Sequence, residues 1–138
     1  MADLRSHRSV SVGRTPDGLV VTNVRGGTLS FGGDTDFTPT ELLLAAIASC
    51  TAIDVDTLTS RRAEPVAFEV VAEADKVRDD DGNHLTDITV TFRLEFPAGE
   101  AGDAARAVLP DAVKRSHDRI CTVGRTVELG PPITTRIV

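Results

Sequence analysis

The chain holds no Trp and no Tyr, and only five Phe in 138 residues. That scarcity argues against stacking platforms for single-stranded nucleic acid or for sugars. Positive charge is also short, with 15 Lys and Arg against 21 Asp and Glu and a net charge of −6. Phosphate-backbone binding needs a basic face and is not expected. No apolar run is read as reaching the ~20 residues of a membrane span. The N-terminus, Met1-Ala2-Asp3-Leu4-Arg5-Ser6-His7-Arg8, is polar and lacks a signal peptide's apolar core. A cytoplasmic protein with neither nucleic-acid nor membrane partner is the expectation. Cysteine is scarce too, present only as Cys50 and Cys121. In a reducing compartment such a pair is expected to be reduced, or joined transiently for chemistry, rather than to form a static staple. What remains is ordinary: 41% hydrophobic and 26% charged residues, consistent with one domain over residues 1–138. A chain of this length buries roughly two thirds of its unfolded surface and needs no metal or disulfide to fold.

The first third reads as strands. Ser9-Val10-Ser11-Val12 alternates, Thr15-Pro16-Asp17-Gly18 is a turn, Leu19 to Asn23 is β-rich, and Thr28-Leu29-Ser30-Phe31 follows a turn at Arg25-Gly26-Gly27. Thr38-Pro39-Thr40-Glu41 fits a helix start, with Thr38 as N-cap, Pro39 in the first helical position and Glu41 closing a capping box. Phe37 and Leu42 fit a hydrophobic staple across that start. From Leu42 to Ile53 only Ser49 and Thr51 are polar, so this helix is expected to be buried on all sides. It is expected to fade near Arg61-Arg62.

After Glu64-Pro65, Val66 to Val77 and His84 to Phe96 form an expected hairpin around Asp79 to Asn83. In the second strand Ile88, Val90, Phe92, Leu94 and Phe96 face one way, and Thr89, Thr91, Arg93 and Glu95 the other. Ala101 to His117 reads as a helix that Pro110 kinks or interrupts, with Cys121 in a loop-like basic segment beyond it. Ile133 to Val138 reads as a closing strand. The order βββ-α-ββ-α-β defines an α+β domain.

Few residues offer chemistry. Cys50 lies inside the apolar helix, where a free cysteine often serves as a small hydrophobe. His117 and Cys121 are four apart, and with Cys50 supply only three zinc ligands and no second CxxC, so no metal and no cofactor is expected. Ser116-His117-Asp118 cannot act as a triad, because consecutive side chains cannot aim at one another, and reads as a solvated helix end. His7 and His84 have no partners by spacing, and the acidic run at Asp79 lacks a calcium loop's closing Glu.

The run Pro39-Thr40-Glu41-Leu42-Leu43-Leu44-Ala45-Ala46-Ile47-Ala48-Ser49-Cys50-Thr51-Ala52-Ile53-Asp54-Val55 resembles the OsmC/Ohr family, and Ile120-Cys121-Thr122-Val123-Gly124-Arg125-Thr126 resembles that family's second motif. The Thr40-Glu41 pattern looks like the OsmC-like branch. The resemblance implies antiparallel sheets around long central helices in an intertwined homodimer, with active sites at the subunit interface. It also implies thiol-dependent reduction of organic hydroperoxides, with Cys50 peroxidatic, Cys121 resolving, a Cys50–Cys121 disulfide as intermediate, and an external thiol or dithiol as reductant.

Only a thiolate attacks an O–O bond, and at a pKa of ~8.5 only about 3% is ionised at pH 7. A helix centre gives little dipole assistance. The family implies an activating arginine from the N-terminal hairpins, and both Arg14 and Arg25 fit that place. Its peroxidases carry a Glu ten residues before the cysteine, where this chain has Thr40, while Glu41 lies about 180° round the helix from Cys50. Asp54, one turn after Cys50, raises a nearby thiol's pKa unless a cation offsets it. Two other functions stay open: a non-catalytic dimer that binds an apolar ligand, and a thiol redox sensor.

Overall fold

A computed structural model describes residues 3–138; Met1 and Ala2 of the polar N-terminus lie outside the described residues. The elements run β1 (Val10–Thr15), β2 (Gly18–Asn23), β3 (Thr28–Phe31), α1 (Pro39–Ser60), β4 (Ala67–Asp79), β5 (Gly82–Glu95), α2 (Glu100–Arg115), a π-helical turn (Ser116–Ile120) and α3 (Thr122–Leu129). The chain divides into two compact units, one ending at Leu42 and the other spanning Leu43–Val138.

The first unit carries a three-stranded antiparallel sheet in the order β1-β2-β3. Thr15 pairs with Gly18, so Pro16-Asp17 forms the tight turn the sequence signals. Gly18 has φ +147, and a Cβ there would lie 2.3 Å from the Phe31 carbonyl oxygen, so glycine is required. Arg14 pairs opposite Leu19 on β1. Arg25 lies in the β2–β3 turn, where the Asn23 side-chain carbonyl accepts the Arg25 and Gly27 N–H groups at 2.9 Å each. The start of α1 is the expected capping box. Thr38 N–H donates to Glu41 Oε1 at 2.9 Å, and Glu41 N–H donates to Thr38 Oγ1 at 3.3 Å. Hydrogen bonding to the carboxyl from the Thr38 backbone N–H, and secondarily from the Thr38 side chain, holds Glu41 below its ordinary value of 4.5. The stabilisation from this reciprocal cap is therefore present above that pH and lost as pH falls through the lowered value. Phe37, expected to staple onto Leu42, remains 56% exposed.

The second unit holds the β4–β5 hairpin and the helices. From Thr89 onward the alternation is as the sequence pattern predicts: Val90, Phe92 and Leu94 are half-buried and Phe96 buried, while Thr89, Thr91, Arg93 and Glu95 are exposed; Ile88, expected on the buried face, is 37% exposed in the single chain. An irregularity between Glu73 and Asp75 shifts the β4 register. Asp79 Oδ1 accepts the Asp81 N–H at 2.9 Å and shapes the acidic hairpin tip.

Four expectations are corrected here. Helix α1 is not buried on all sides in the single chain: Ile47, Thr51, Val55 and Thr59, each one turn apart, form the buried stripe, while Ile53 is 66% exposed. It also meets the length and composition of a membrane span, with a mean hydropathy of 1.6 over its most apolar window. Its polar residues Thr51 and Asp54, however, join a hydrogen-bonded chain with a neighbouring element. Pro110 lies inside α2 without interrupting it. The closing strand does not form. Cys121 instead caps α3, which ends at Gly130 (φ 59, left-handed), and residues 131–138 have no regular structure. A strand requires an edge to pair with, and Pro131-Pro132 brings no N–H groups to one. Within the chain the fold is thus βββ-α-ββ-α followed by the π-turn and α3.

Candidate functional site

Cys50 lies in α1 with its side chain half-buried, and Asp54 follows one helical turn later. Cys121 is buried beyond the π-turn, with its N–H donating to the Ser116 carbonyl at 2.8 Å. The two sulfurs and an Asp54 carboxylate oxygen all lie within 4.8 Å of one another. Cys121 has an extended backbone between the π-turn and α3, as expected of a residue outside a helix, and it is the N-cap of α3: its Sγ accepts the Gly124 N–H at 3.3 Å. A Cβ at position 124 would stand 3.3 Å from that sulfur, so glycine permits the close approach of the backbone N–H.

Opposing effects act on the Cys121 thiol. Burial pushes its pKa up, the Gly124 N–H pulls it down, and the neighbouring Cys50 and Asp54 add to the rise. The balance is upward, which keeps this sulfur a neutral thiol at neutral pH.

Ser116 is not a solvated helix end. It is fully buried, accepts or donates to Thr51 Oγ1 at 2.7 Å, and donates to Asp54 Oδ2 at 2.8 Å. Since the serine proton goes to the carboxylate, the Thr51 hydroxyl is the donor to Ser116. The chain Thr51→Ser116→Asp54 fixes the carboxylate beside the sulfurs. No local pattern could have identified Ser116, because its partners lie 65 and 62 positions away. π-helical turns occur often at functional sites; here the turn from Ser116 to Ile120 connects this buried hydroxyl to Cys121.

Cys121 and Thr51 also line a cavity of about 410 Å³. Its walls are mainly aliphatic and aromatic, from Ile47, Ile88, Val90, Phe92, Val113 and Val127. His117 and Glu128 form a polar edge, with His117 Nε2 at 2.8 Å from Glu128 Oε1. His117 thus pairs with a carboxylate, and it is not part of the sulfur cluster. Arg14 and Arg25 belong to the first unit, and the cysteine pair lies entirely in the second.

A half-buried and a buried thiol brought together with a carboxylate, from a long helix and the cap of a short one, define a thiol protein of α+β architecture. The family model described as OsmC-like protein matches residues 32–136, and the chain belongs to that family. No curated protein matches the chain. Among solved structures, a hypothetical protein from Aquifex aeolicus has a TM-score of 0.69 at 19% identity, covering 91% of this chain and 89% of its own. An OsmC-like protein of unknown function from Vibrio cholerae has a TM-score of 0.72 at 13% identity, covering 90% and 95%. An organic hydroperoxide resistance protein OsmC from Legionella pneumophila has a TM-score of 0.61 at 14% identity, covering 91% of each chain. These similarities establish a shared fold.

Proposed function

We propose that the protein is a cytoplasmic, cysteine-dependent reductase of organic hydroperoxides, cycling through a Cys50–Cys121 disulfide. The observation that supports this reading most is the approach of the two sulfurs and Asp54 to within 4.8 Å. Cys50, the more accessible sulfur, attacks the peroxide as a thiolate. A sulfur–oxygen bond forms and the O–O bond breaks. The alkoxide leaves and takes a proton as an alcohol, and Cys50 becomes a sulfenic acid. Cys121 then attacks the Cys50 sulfur, and the hydroxyl departs as water. In this reading Asp54 takes the Cys121 proton and returns it to the departing hydroxide. An external dithiol reduces the disulfide and is itself oxidised.

An S–S bond of about 2.0 Å requires the two sulfurs, within 4.8 Å of each other, to close the rest of that separation. The apolar cavity beside Cys121 favours alkyl or lipid hydroperoxides over hydrogen peroxide. Arg14 and Arg25 are the candidates for the activating arginine that the family resemblance implies, and Thr40 stands where that family's peroxidases carry a Glu.

One equivalent of an organic hydroperoxide added to the reduced protein is expected to give the Cys50–Cys121 disulfide, read by non-reducing peptide mass spectrometry. Free Cys121 beside Cys50 sulfonic acid would sink the cycle. The same cavity supports a second reading, a non-catalytic carrier of an apolar ligand. A stoichiometric lipid-like molecule on the purified protein, with no peroxide consumption, would favour it. A redox sensor would oxidise once and resist recycling by dithiols.

We also propose a homodimer that covers the remaining apolar surface of α1. Leu43 is 40% and Ile53 66% exposed in the single chain, a costly arrangement for a helix this apolar. Light scattering is expected to give twice the 14.6 kDa chain mass. A monomer that persists at high concentration would refute the assembly.

A further inference from the structure

Two sulfurs and a carboxylate converging from different elements form a donor set as well as a redox pair. We propose that the reduced protein binds a thiophilic divalent cation of the zinc type through Cys50 Sγ, Cys121 Sγ and an Asp54 carboxylate oxygen, with water completing a tetrahedron. The donor atoms lie within 4.8 Å of one another. Around a zinc ion with bonds of about 2.0–2.3 Å, tetrahedral geometry places ligand atoms roughly 3.5–3.8 Å apart. Small rotations of the three side chains close that difference.

The surroundings are those of metal ligands. Ser116 Oγ donates to Asp54 Oδ2 at 2.8 Å, and Gly124 N–H donates to Cys121 Sγ at 3.3 Å. Two of the three donors are thus oriented by fixed hydrogen bonds, and Ser116 is in turn held by buried Thr51. Among the described residues of Leu43–Val138, Asp54 forms no ion pair with a Lys, Arg or His. A dication would neutralise the carboxylate and two thiolates together. Two thiolates and one carboxylate suit zinc or cobalt, whereas magnesium and calcium prefer all-oxygen sites. Three protein ligands leave a coordination position for water.

Binding releases to solvent whatever protons the two sulfurs carry and changes no oxidation state. The metal-bound and disulfide forms exclude each other, since each needs both sulfurs. Because binding is measured on resting thiols without peroxide, this proposal and the reductase reading fail independently.

Anaerobic titration of the reduced full chain with Co²⁺ tests it. The expected result is a near-ultraviolet thiolate-to-cobalt charge-transfer band with intense tetrahedral visible bands, saturating at one equivalent and displaced by Zn²⁺. Cys50→Ser and Cys121→Ser each abolish the charge-transfer intensity of the dithiolate site. Ser116→Ala, which leaves all three donor side chains in place but removes the hydrogen bond that orients Asp54 along with the one to Thr51, weakens affinity by roughly 10–100-fold. Zn²⁺ also protects both cysteines of the unaltered protein from alkylation, a readout that needs no variant. Absence of a tetrahedral cobalt spectrum, a spectrum unchanged in both cysteine variants, or alkylation unaffected by Zn²⁺ overturns the proposal.

Discussion

Replacing Cys50 by serine is expected to reduce hydroperoxide consumption to the uncatalysed rate, while the chain still folds. Cys50 is only half-buried, and the substitution exchanges a sulfur for an oxygen without adding volume. Enzymes that depend on a covalent nucleophile lose up to on the order of 10⁶-fold in kcat when it is removed, because nothing else on the protein forms the intermediate. Cys121→Ser should behave differently. The first equivalent of hydroperoxide is still consumed, since the attacking sulfur is intact, but no intramolecular thiol captures the sulfenic acid. With excess hydroperoxide Cys50 then climbs to the sulfinic and sulfonic acids. Stopped-flow consumption assays and intact-protein mass spectrometry read the two variants. Catalysis by Cys50→Ser at the rate of the unaltered protein would end the reductase reading. Steady turnover by Cys121→Ser without over-oxidation would instead remove only the resolving role.

How far these roles were legible beforehand depended on the range of the interactions. The capping box needed only Thr38 and Glu41, three residues apart, and both of its hydrogen bonds form. The β5 alternation is equally local, because one hairpin face is buried and the other is not. The two cysteines were singled out by their sequence context, and they do come together. Helix α3 was hidden. Thr122–Leu129 contains two Thr, two Val and a Gly, weak helix formers, and its N-cap is a thiol instead of Ser, Thr, Asp or Asn. Its ends are secured by geometry: Gly124 N–H on Cys121 Sγ at the start, and left-handed Gly130 at the finish. Ile133 to Val138 misled for the opposite reason. β-propensity measures fit to a sheet surface, and here the segment pairs with no edge, leaving Ile133 93% and Ile137 97% exposed. Asp54 was legible only as a liability to a neighbouring thiolate. Its hydrogen bond to Ser116 makes it an oriented group, and that contact is invisible to any local pattern.

Ser116→Ala tests whether this buried hydroxyl matters to the fold. Were Ser116 a solvated helix end, the substitution would stay within about 0.5 kcal/mol, as exposed changes usually do. Ser116 is instead fully buried between Thr51 Oγ1 at 2.7 Å and Asp54 Oδ2 at 2.8 Å. Deleting its Oγ leaves the buried Thr51 hydroxyl without a partner and takes a donor from a half-buried carboxylate. Leaving one buried polar group unsatisfied costs about 1–3 kcal/mol, so the urea midpoint should fall with an unchanged slope. Thr51→Val removes the other hydroxyl at nearly constant shape. In the double variant the orphaned Thr51 donor is gone, so the combined loss should be smaller than the sum of the single losses, by roughly 0.5–3 kcal/mol. Strict additivity would mean that the two hydroxyls act independently. Ser116→Ala, alone or in the double variant, should slow formation of the Cys50–Cys121 disulfide, because an Asp54 carboxylate released from Ser116 spends less time beside the thiol whose proton it takes. A stability loss without that slowing would confine Ser116 to the packing of α1 against the π-turn.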